Sequence, residues 1–478
     1  VPAGVYNNSE WKRINSIFGS ATVGYKSMVY LDLTWRGDWA STLPKENNFY
    51  KYPSVTTSFI FTELPALKDQ TILPFGKIRL NWARVGGDTD PYRLASVYTA
   101  NDNFGTNPNY QLPTTLNNST LKPEQTTSYE AGIELKFFNN RLGVDFTYYD
   151  NTTINQIIPV PTSATTGYTQ QVINAGKVTN KGIELLLTGT PVQLSNGFRW
   201  DVTLNFAKNN NKIVELAEGV DTYRLASLFG NEVHAEAGQK YGTIRGYNFV
   251  SDEKGNILVG TNGRYVNGPV ETVGSYLPDW NAGLTNTFSY KGFDMSIQID
   301  MQRGGQMFSL TNMWGMYSGI LEETAAVNAN GVNIREDIAD GGGVLVDGVY
   351  GYKDANGNVV YTDAAGNVVD SPVKNTTYIS GERWAWDHYA RARAAQNTFD
   401  TDYVKLREIR IGYSIPAKYT GPFRNVKLSA YGRNLAIWGR DNVHFDPEYV
   451  HGSGNVQGIE GGALPSLRTY GFNLTFDF

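Results

Sequence analysis

A chain of 478 residues with a formal net charge of −5 and no cysteine has no overall basic footprint for nucleic acid or anionic lipid and no thiol for a disulfide or a cysteine-ligated metal. Its 30 Tyr, 22 Phe, 10 Trp and 50 Gly, with no apolar run near the ~18 residues a transmembrane helix needs, read as an all-β protein with many turns. A mean hydropathy of −0.36 suits a transmembrane barrel as well as a water-soluble protein, because barrel strands alternate apolar and polar residues.

The chain opens on Val1-Pro2-Ala3-Gly4, which has neither the charged start nor the apolar segment of a signal peptide, so an exported form would be mature, processed or a fragment. Strict period-two alternation then predicts about thirteen strands, near 14–25, 28–40, 54–64, 76–86, 127–138, 141–157, 172–190, 197–209, 280–290, 293–303, 402–415, 425–438 and 467–478. Segment 129–137 sets Tyr129, Ala131, Ile133, Leu135 and Phe137 against Glu130, Glu134 and Lys136. Segment 293–302 sets Phe293, Met295, Ile297, Ile299 and Met301 against Asp294, Ser296, Gln298, Asp300 and Gln302. The chain ends with Tyr470, Phe472, Leu474, Phe476 and Phe478 on one face. Each segment reaches the ~9–11 residues that cross a bilayer on a tilt.

The connectors alternate in length. Lys26-Ser27, Asn139-Asn140, 192–196, 290–292 and 416–424 are short, whereas 41–53, 87–126, 158–171, 210–279, 304–401 and 439–466 are mostly long. Short turns on one side and long extracellular loops on the other are the asymmetry of outer-membrane barrels. With Phe478 on the periplasmic side, parity puts the start of the chain outside the cell. Thirteen strands cannot close an even-numbered bacterial barrel, so the remaining strands are expected from another chain or an N-terminal part.

Alternation also names an inward face: Asp32, Arg36, Lys77, Arg79, Glu130, Glu134, Asp145, Glu184, Arg199, Asp201, Asp294, Asp300, Glu408, Arg410 and Arg433. These residues would line a lumen, either as a solute path or plug contact or as a solvated interior of mutually paired charges. In the loop 304–401, Trp314, Tyr317, Arg383, Trp384, Trp386, Asp387, His388 and Tyr389 set stacking faces beside hydrogen-bonding groups. That mixture suits a sugar or peptide ligand, a docking surface for a lid protein, or simple loop packing. The nine-residue repeat Tyr352–Val360 and Tyr361–Val369 lacks the closing Glu of a calcium loop and predicts adjacent hairpin turns, with Ser251–Asn256 a third. His444, Asp446, Glu448 and His451 are near one another along one loop, which alone does not make a metal site. With no HExxH, nucleophile elbow or P-loop, the sequence predicts neither an enzyme nor a cofactor.

Several stretches in this order resemble one family, the SusC/RagA-like TonB-dependent outer-membrane transporters. They are Leu121-Lys122-Pro123-Glu124-Gln125-Thr126 with Tyr129-Glu130-Ala131-Gly132, Asn174-Ala175-Gly176 with Asn180-Lys181-Gly182-Ile183-Glu184, and Arg303-Gly304-Gly305-Gln306-Met307-Phe308. Tyr403 to Pro416, Arg433-Asn434-Leu435, Asp446-Pro447-Glu448 and Leu464 to Tyr470 continue the pattern. The resemblance implies that 1–478 is a partial receptor barrel, about 13 C-terminal strands of a 22-stranded plugged one, with nine strands and the plug domain outside this chain. It further implies outer-membrane import of a large solute, an oligosaccharide or oligopeptide, with a SusD-like surface lipoprotein. Coupling to TonB–ExbB–ExbD would run through the N-terminal part. A passive porin, or a secreted glycan-binding or adhesive β-protein, is the alternative reading. Membrane lipid is an expected partner and nucleic acid is not.

Overall fold

The computed structural model describes residues 9–68 and 70–477, so Val1 and Phe478, which anchor the expected topology, lie outside the described residues. Thirteen strands follow one another through a single antiparallel path. They are β1 (Ile14–Tyr25), β2 (Val29–Ala40), β3 (Phe49–Ile60), β4 (Phe75–Gly87), β5 (Glu124–Phe137), β6 (Leu142–Pro161), β7 (Gln170–Gln193), β8 (Arg199–Glu215), β9 (Trp280–Tyr290), β10 (Phe293–Arg303), β11 (Tyr403–Ser414), β12 (Arg424–Trp438) and β13 (Thr469–Asp477). Each lies where alternation predicts a strand. Among the described residues β1 pairs only with β2 and β13 only with β12, so the sheet has two open edges.

The tight ends are set by backbone conformation. Lys26 and Ser27 take φ of 52° and 53°, and Lys291 and Gly292 take 45° and 89°. Two successive left-handed residues make the hairpin turn whose twist matches the flanking strands. At the opposite end the connectors are long, as predicted.

Several boundaries differ from expectation, most at the start of β3 and the end of β8. β3 begins five residues early, through Pro53, because there it pairs only with β2. Pairing with β4 starts at Ser54, so no ladder on that side needs the missing proline N–H. β8 runs on to Glu215 because Ile213, fully buried with Val178 and Ala235, keeps it paired to β7 beyond the polar stretch Lys208–Asn211.

The long connectors are folded. Residues 216–279 form a four-stranded antiparallel sheet (Thr222–Leu228, Asn231–Glu236, Thr243–Phe249, Asn267–Ser275) where the sequence gives only loop signals. The connector after β10 carries three helices, α1 (Leu310–Tyr317), α2 (Gly381–Ala390) and α3 (Arg393–Asn397). One apolar cluster joins Val233 and Ile244, Phe308, Leu310 and Met313, and Ile459, drawing on three different connectors. These loops therefore share a core, which fixes side chains far apart in sequence relative to one another.

The repeat forms the expected hairpins. Asp354 Oδ1 accepts from the amides of Asn356 and Asn358 at 2.9 and 2.8 Å, and Asp363 Oδ1 from those of Ala365 and Asn367 at 2.9 Å each. Asp252 does the same with Lys254 and Asn256, and also accepts from Tyr361 Oη at 2.8 Å. The Asp carboxylate, spent on its own turn, replaces a calcium reading with a backbone one.

Candidate functional site

The aromatic candidates rest on two capped helices. Ser309 Oγ accepts from the Asn312 amide at the start of α1. Fully buried Glu460 accepts from Ser309 Oγ, from the Thr311 amide and hydroxyl, and from the amides of Gly462 and Ala463. A carboxylate with five donors at a helix N-terminus is well satisfied, and it ties the last connector to α1. α1 buries Leu310, Met313 and Met316, which turns Trp314 and Tyr317 outward. α2, capped by Ser380, buries Ala385, Asp387 and His388.

The structure divides the predicted ligand set in two. Trp314 stacks on Tyr389 at 5.4 Å between ring centroids, and Tyr317 meets both rings edge-on at 5.7 and 5.5 Å. Phe229 meets Trp314 edge-on, and the Arg393 guanidinium lies over Tyr389 and Tyr247. Trp314, Tyr317, Phe229 and Tyr247 all remain exposed. Beside Tyr317 opens a pocket of about 350 Å³ lined by Ser318, Thr324, Arg335 and Glu382. This is a platform of ring faces next to polar groups, suited to a ligand with apolar faces and hydroxyl or amide edges.

The other candidates do not share this platform. Asp387, predicted as a ligand contact, is 2% exposed and bonded by the Arg264 guanidinium, which it holds above its ordinary pKa. Trp384 packs against the apolar cluster of Val259, Val346 and Ile379, and edge-on against His388, whose imidazole is pushed down by burial. These two are structural because α2 needs an inner face. Arg383 lies over the Trp386 ring at 5.0 Å, with Arg264 also over it. Phe229, Tyr247 and Arg393 escape a sequence reading because they join the platform only through the folded connector. Phe229 holds φ of 50° next to Gly230 at 75°, in a tight turn between two strands of the folded connector.

The predicted lumen residues share one face of the sheet. Register sets Asp32 opposite Thr56, Arg79 opposite Gly132, Asp201 opposite Thr287, and Glu408 opposite both Gln298 and Arg433. Most are paired: Thr22 Oγ1 donates to Asp32, and Arg36 bonds Asp38. Lys77 reaches Glu134, Arg79 reaches Asp145 at 2.5 Å, and Arg199 reaches Asp201. Arg410 and Lys427 flank Asp294, and Arg433 meets Glu408. The opposite face carries Ile297 between Asn286 and Ile409, with Trp200 Nε1 donating to the single amide, Asn286, in that row.

Alternation misses Lys405 and Arg407. A β-bulge between Leu406 and Glu408 inserts Arg407 into the polar face, so that Lys405, Arg407, Glu408 and Arg410 all reach it while Leu406 and Ile409 keep to the other. Arg407 meets Asp300 at 2.5 Å and also Glu448, and Lys405 meets both Asp446 and Glu448. The loop carboxylates that stood near two histidines in sequence are thus engaged by β11. His444 turns instead to Glu323 at 2.8 Å, and the main chain of His451 pairs with Ile459. The four groups do not converge.

A family model described as "TonB dependent receptor-like, beta-barrel" matches residues 1–435. TonB-dependent receptor P3 of Formosa agariphila is 25% identical across 100% of this chain and 46% of its own length. TonB-dependent receptor SusC of Bacteroides thetaiotaomicron is 28% identical over 66% of this chain and 33% of its own length. Among solved structures, the RagAB peptide transporter superposes over 96% of this chain and 47% of that one with a TM-score of 0.69 at 18% identity, a likeness of fold. The chain spans about half the length or less of the curated relatives it matches.

Proposed function

The chain belongs to the TonB-dependent receptor β-barrel family, and from that premise we propose that it is a lipid-embedded part of an outer-membrane importer of a large solute. The observation that carries this reading is the sheet itself. Thirteen antiparallel strands keep paired charges on one face and exposed Leu, Ile, Val and aromatic side chains on the other. Paired charges suit a water-filled or plugged lumen and the apolar face suits hydrocarbon. Open edges cannot face lipid, since each unpaired backbone group there costs several kcal/mol. The remaining strands and the plug belong, in this reading, to the half of the receptor outside this chain.

Solute contact falls to Trp314, Tyr317 and Tyr389, joined by Phe229, Tyr247 and Arg393, while Arg383 and Trp386 form a separate pair on α2. The solute is an oligosaccharide or oligopeptide, handed over by a SusD-like lipoprotein at the folded loops. TonB–ExbB–ExbD supplies the energy through the other half. The SusC and RagAB names among the related proteins support this reading. Uptake of labelled oligosaccharide and oligopeptide pools by cells carrying the full-length receptor tests it. Uptake that stops with an uncoupler, together with a lipoprotein that copurifies in mild detergent, supports active import. Flux unchanged by the uncoupler identifies a porin and overturns it.

A further inference from the structure

The outward face of the sheet is not uniform. Between β3 and β6 it holds an apolar groove of about 460 Å³ whose lining includes Val55, Leu80, Trp82, Tyr129, Ala131 and Tyr148. Register gives these six one face: Val55 opposes Trp82, Leu80 opposes Ala131, Trp82 opposes Tyr129, and Ala131 opposes Tyr148. The small Ala131 leaves the floor open between large rings.

A second feature adjoins it on the long-loop side. Tyr129 opposes Asp150, which opposes Lys181, and the Lys181 ammonium meets the Asp150 carboxylate at 2.7 Å. Lys181 in turn opposes Asn210, so the outward Lys208 and Lys212 are its diagonal neighbours, about 7–8 Å away. Both are exposed, and neither makes an ion pair among the described residues. Three cations and one carboxylate therefore stand just beyond Phe206 and Trp280, whose rings meet at 5.7 Å on the apolar face.

The geometry points to a lipid-binding site in which the groove takes an acyl chain and Lys181, Lys208 and Lys212 take the phosphate of an anionic outer-leaflet lipid. Charge complementarity selects the headgroup, because ammonium groups at a membrane surface attract phosphate while the Tyr and Trp rings sit at headgroup level. The site rests on the reading that this face meets lipid.

The test uses the full-length receptor in mild detergent, titrated with phosphatidylglycerol, phosphatidylcholine or inorganic phosphate while its melting temperature is followed. Phosphatidylglycerol alone should raise it saturably. K181Q/K208Q/K212Q should weaken that effect about tenfold or more, and Ala131→Phe, which fills the groove, should weaken it with the lysines intact. An equal response to phosphatidylcholine, or triple and groove variants that respond like the parent, overturns the site. Quenching of tryptophan fluorescence by brominated lipid separates the two levels. Strong quenching without selectivity sinks the site alone, and no quenching sinks the membrane reading with it.

Discussion

Lys405 on β11 is sealed beneath Asp446: its ammonium lies 2.5 Å from the Asp446 carboxylate, and both side chains are nearly inaccessible, at 5% and 7% exposed. Ser466 Oγ donates to the same carboxylate, and Glu448 adds a second contact to Lys405. The Asp446-Pro447-Glu448 stretch is therefore a clasp that fastens the last long connector to the wall. Lys405→Met should destabilise the receptor by about 3–5 kcal/mol, because the buried Asp446 carboxylate loses its cation, while the more exposed Glu448 keeps Arg407. A lowered melting temperature with new proteolysis within 439–466 would show it. An unchanged melting profile would mean that the clasp is solvated.

The same clasp predicts an acid response. Burial pushes the Asp446 and Glu448 carboxyls up, but hydrogen bonds and charge from Lys405 and Arg407, with Ser466, more than offset this and hold both below the ordinary carboxylate range. Groups depressed in the folded state contribute stability above their unfolded pKa and lose it as pH falls through the folded one. Amide exchange over 446–449 should thus stay slow from neutral pH down to about 5 and quicken only below about 4. Loosening that is already complete above pH 6 would show that the two carboxylates do not control it.

Two of the three tryptophans of the predicted ligand set, Trp384 and Trp314, should separate. Trp384, half-buried, packs against Val259, Val346 and Ile379, so Trp384→Ala should cost about 2–3 kcal/mol of stability, less than a fully buried Trp. Trp314 is exposed on the platform, so Trp314→Ala should leave the melting temperature nearly unchanged and reduce solute uptake. Uptake that survives Trp314→Ala together with Tyr389→Ala would remove the platform from the transport path.

What sequence could reveal follows the physics of each element. The thirteen strands were legible because each separates two environments, and period-two alternation records that directly in runs such as Phe293 to Met301. Arg407 was not, because a bulge is one inserted residue with no compositional mark. The sheet over 222–275 was hidden because burial along it does not alternate: Val233, His234 and Ala235 are buried in succession, while most of Asn267–Ser275 is exposed. Asp387 and Trp384 read like ligand contacts since burial against Arg264 and Val346 is a tertiary fact.

Ile297 gives a direct test of which face is apolar. It lies between Asn286 and Ile409, half-buried, on the face opposite Asp294, Gln298 and Asp300. Ile297→Arg should reduce assembly into the outer membrane, since a charge near the bilayer midplane costs roughly 2–4 kcal/mol. Gln298→Arg, on the charged face, should assemble normally. Equal assembly of both would contradict a lipid-facing Ile297.

Topology can be read without a ligand. Asn262, in an exposed bend beside Gly263 at φ 74°, and Asn356, at the tip of an exposed hairpin, both belong to long connectors at one end of the sheet. Lys418, exposed in the connector between β11 and β12, belongs to the opposite end. This chain has no native cysteine to interfere. Cysteines placed singly at Asn262 and Asn356 in the full-length receptor should react with a membrane-impermeant maleimide on intact cells. A cysteine at Lys418 should react only once the outer membrane is breached. Alternation in connector length makes the assignment, because long loops project from the cell and short turns face the periplasm. The inverse labelling pattern would invert the receptor. Labelling of all three on intact cells would remove the chain from the membrane altogether, leaving a secreted β-protein as the reading to pursue.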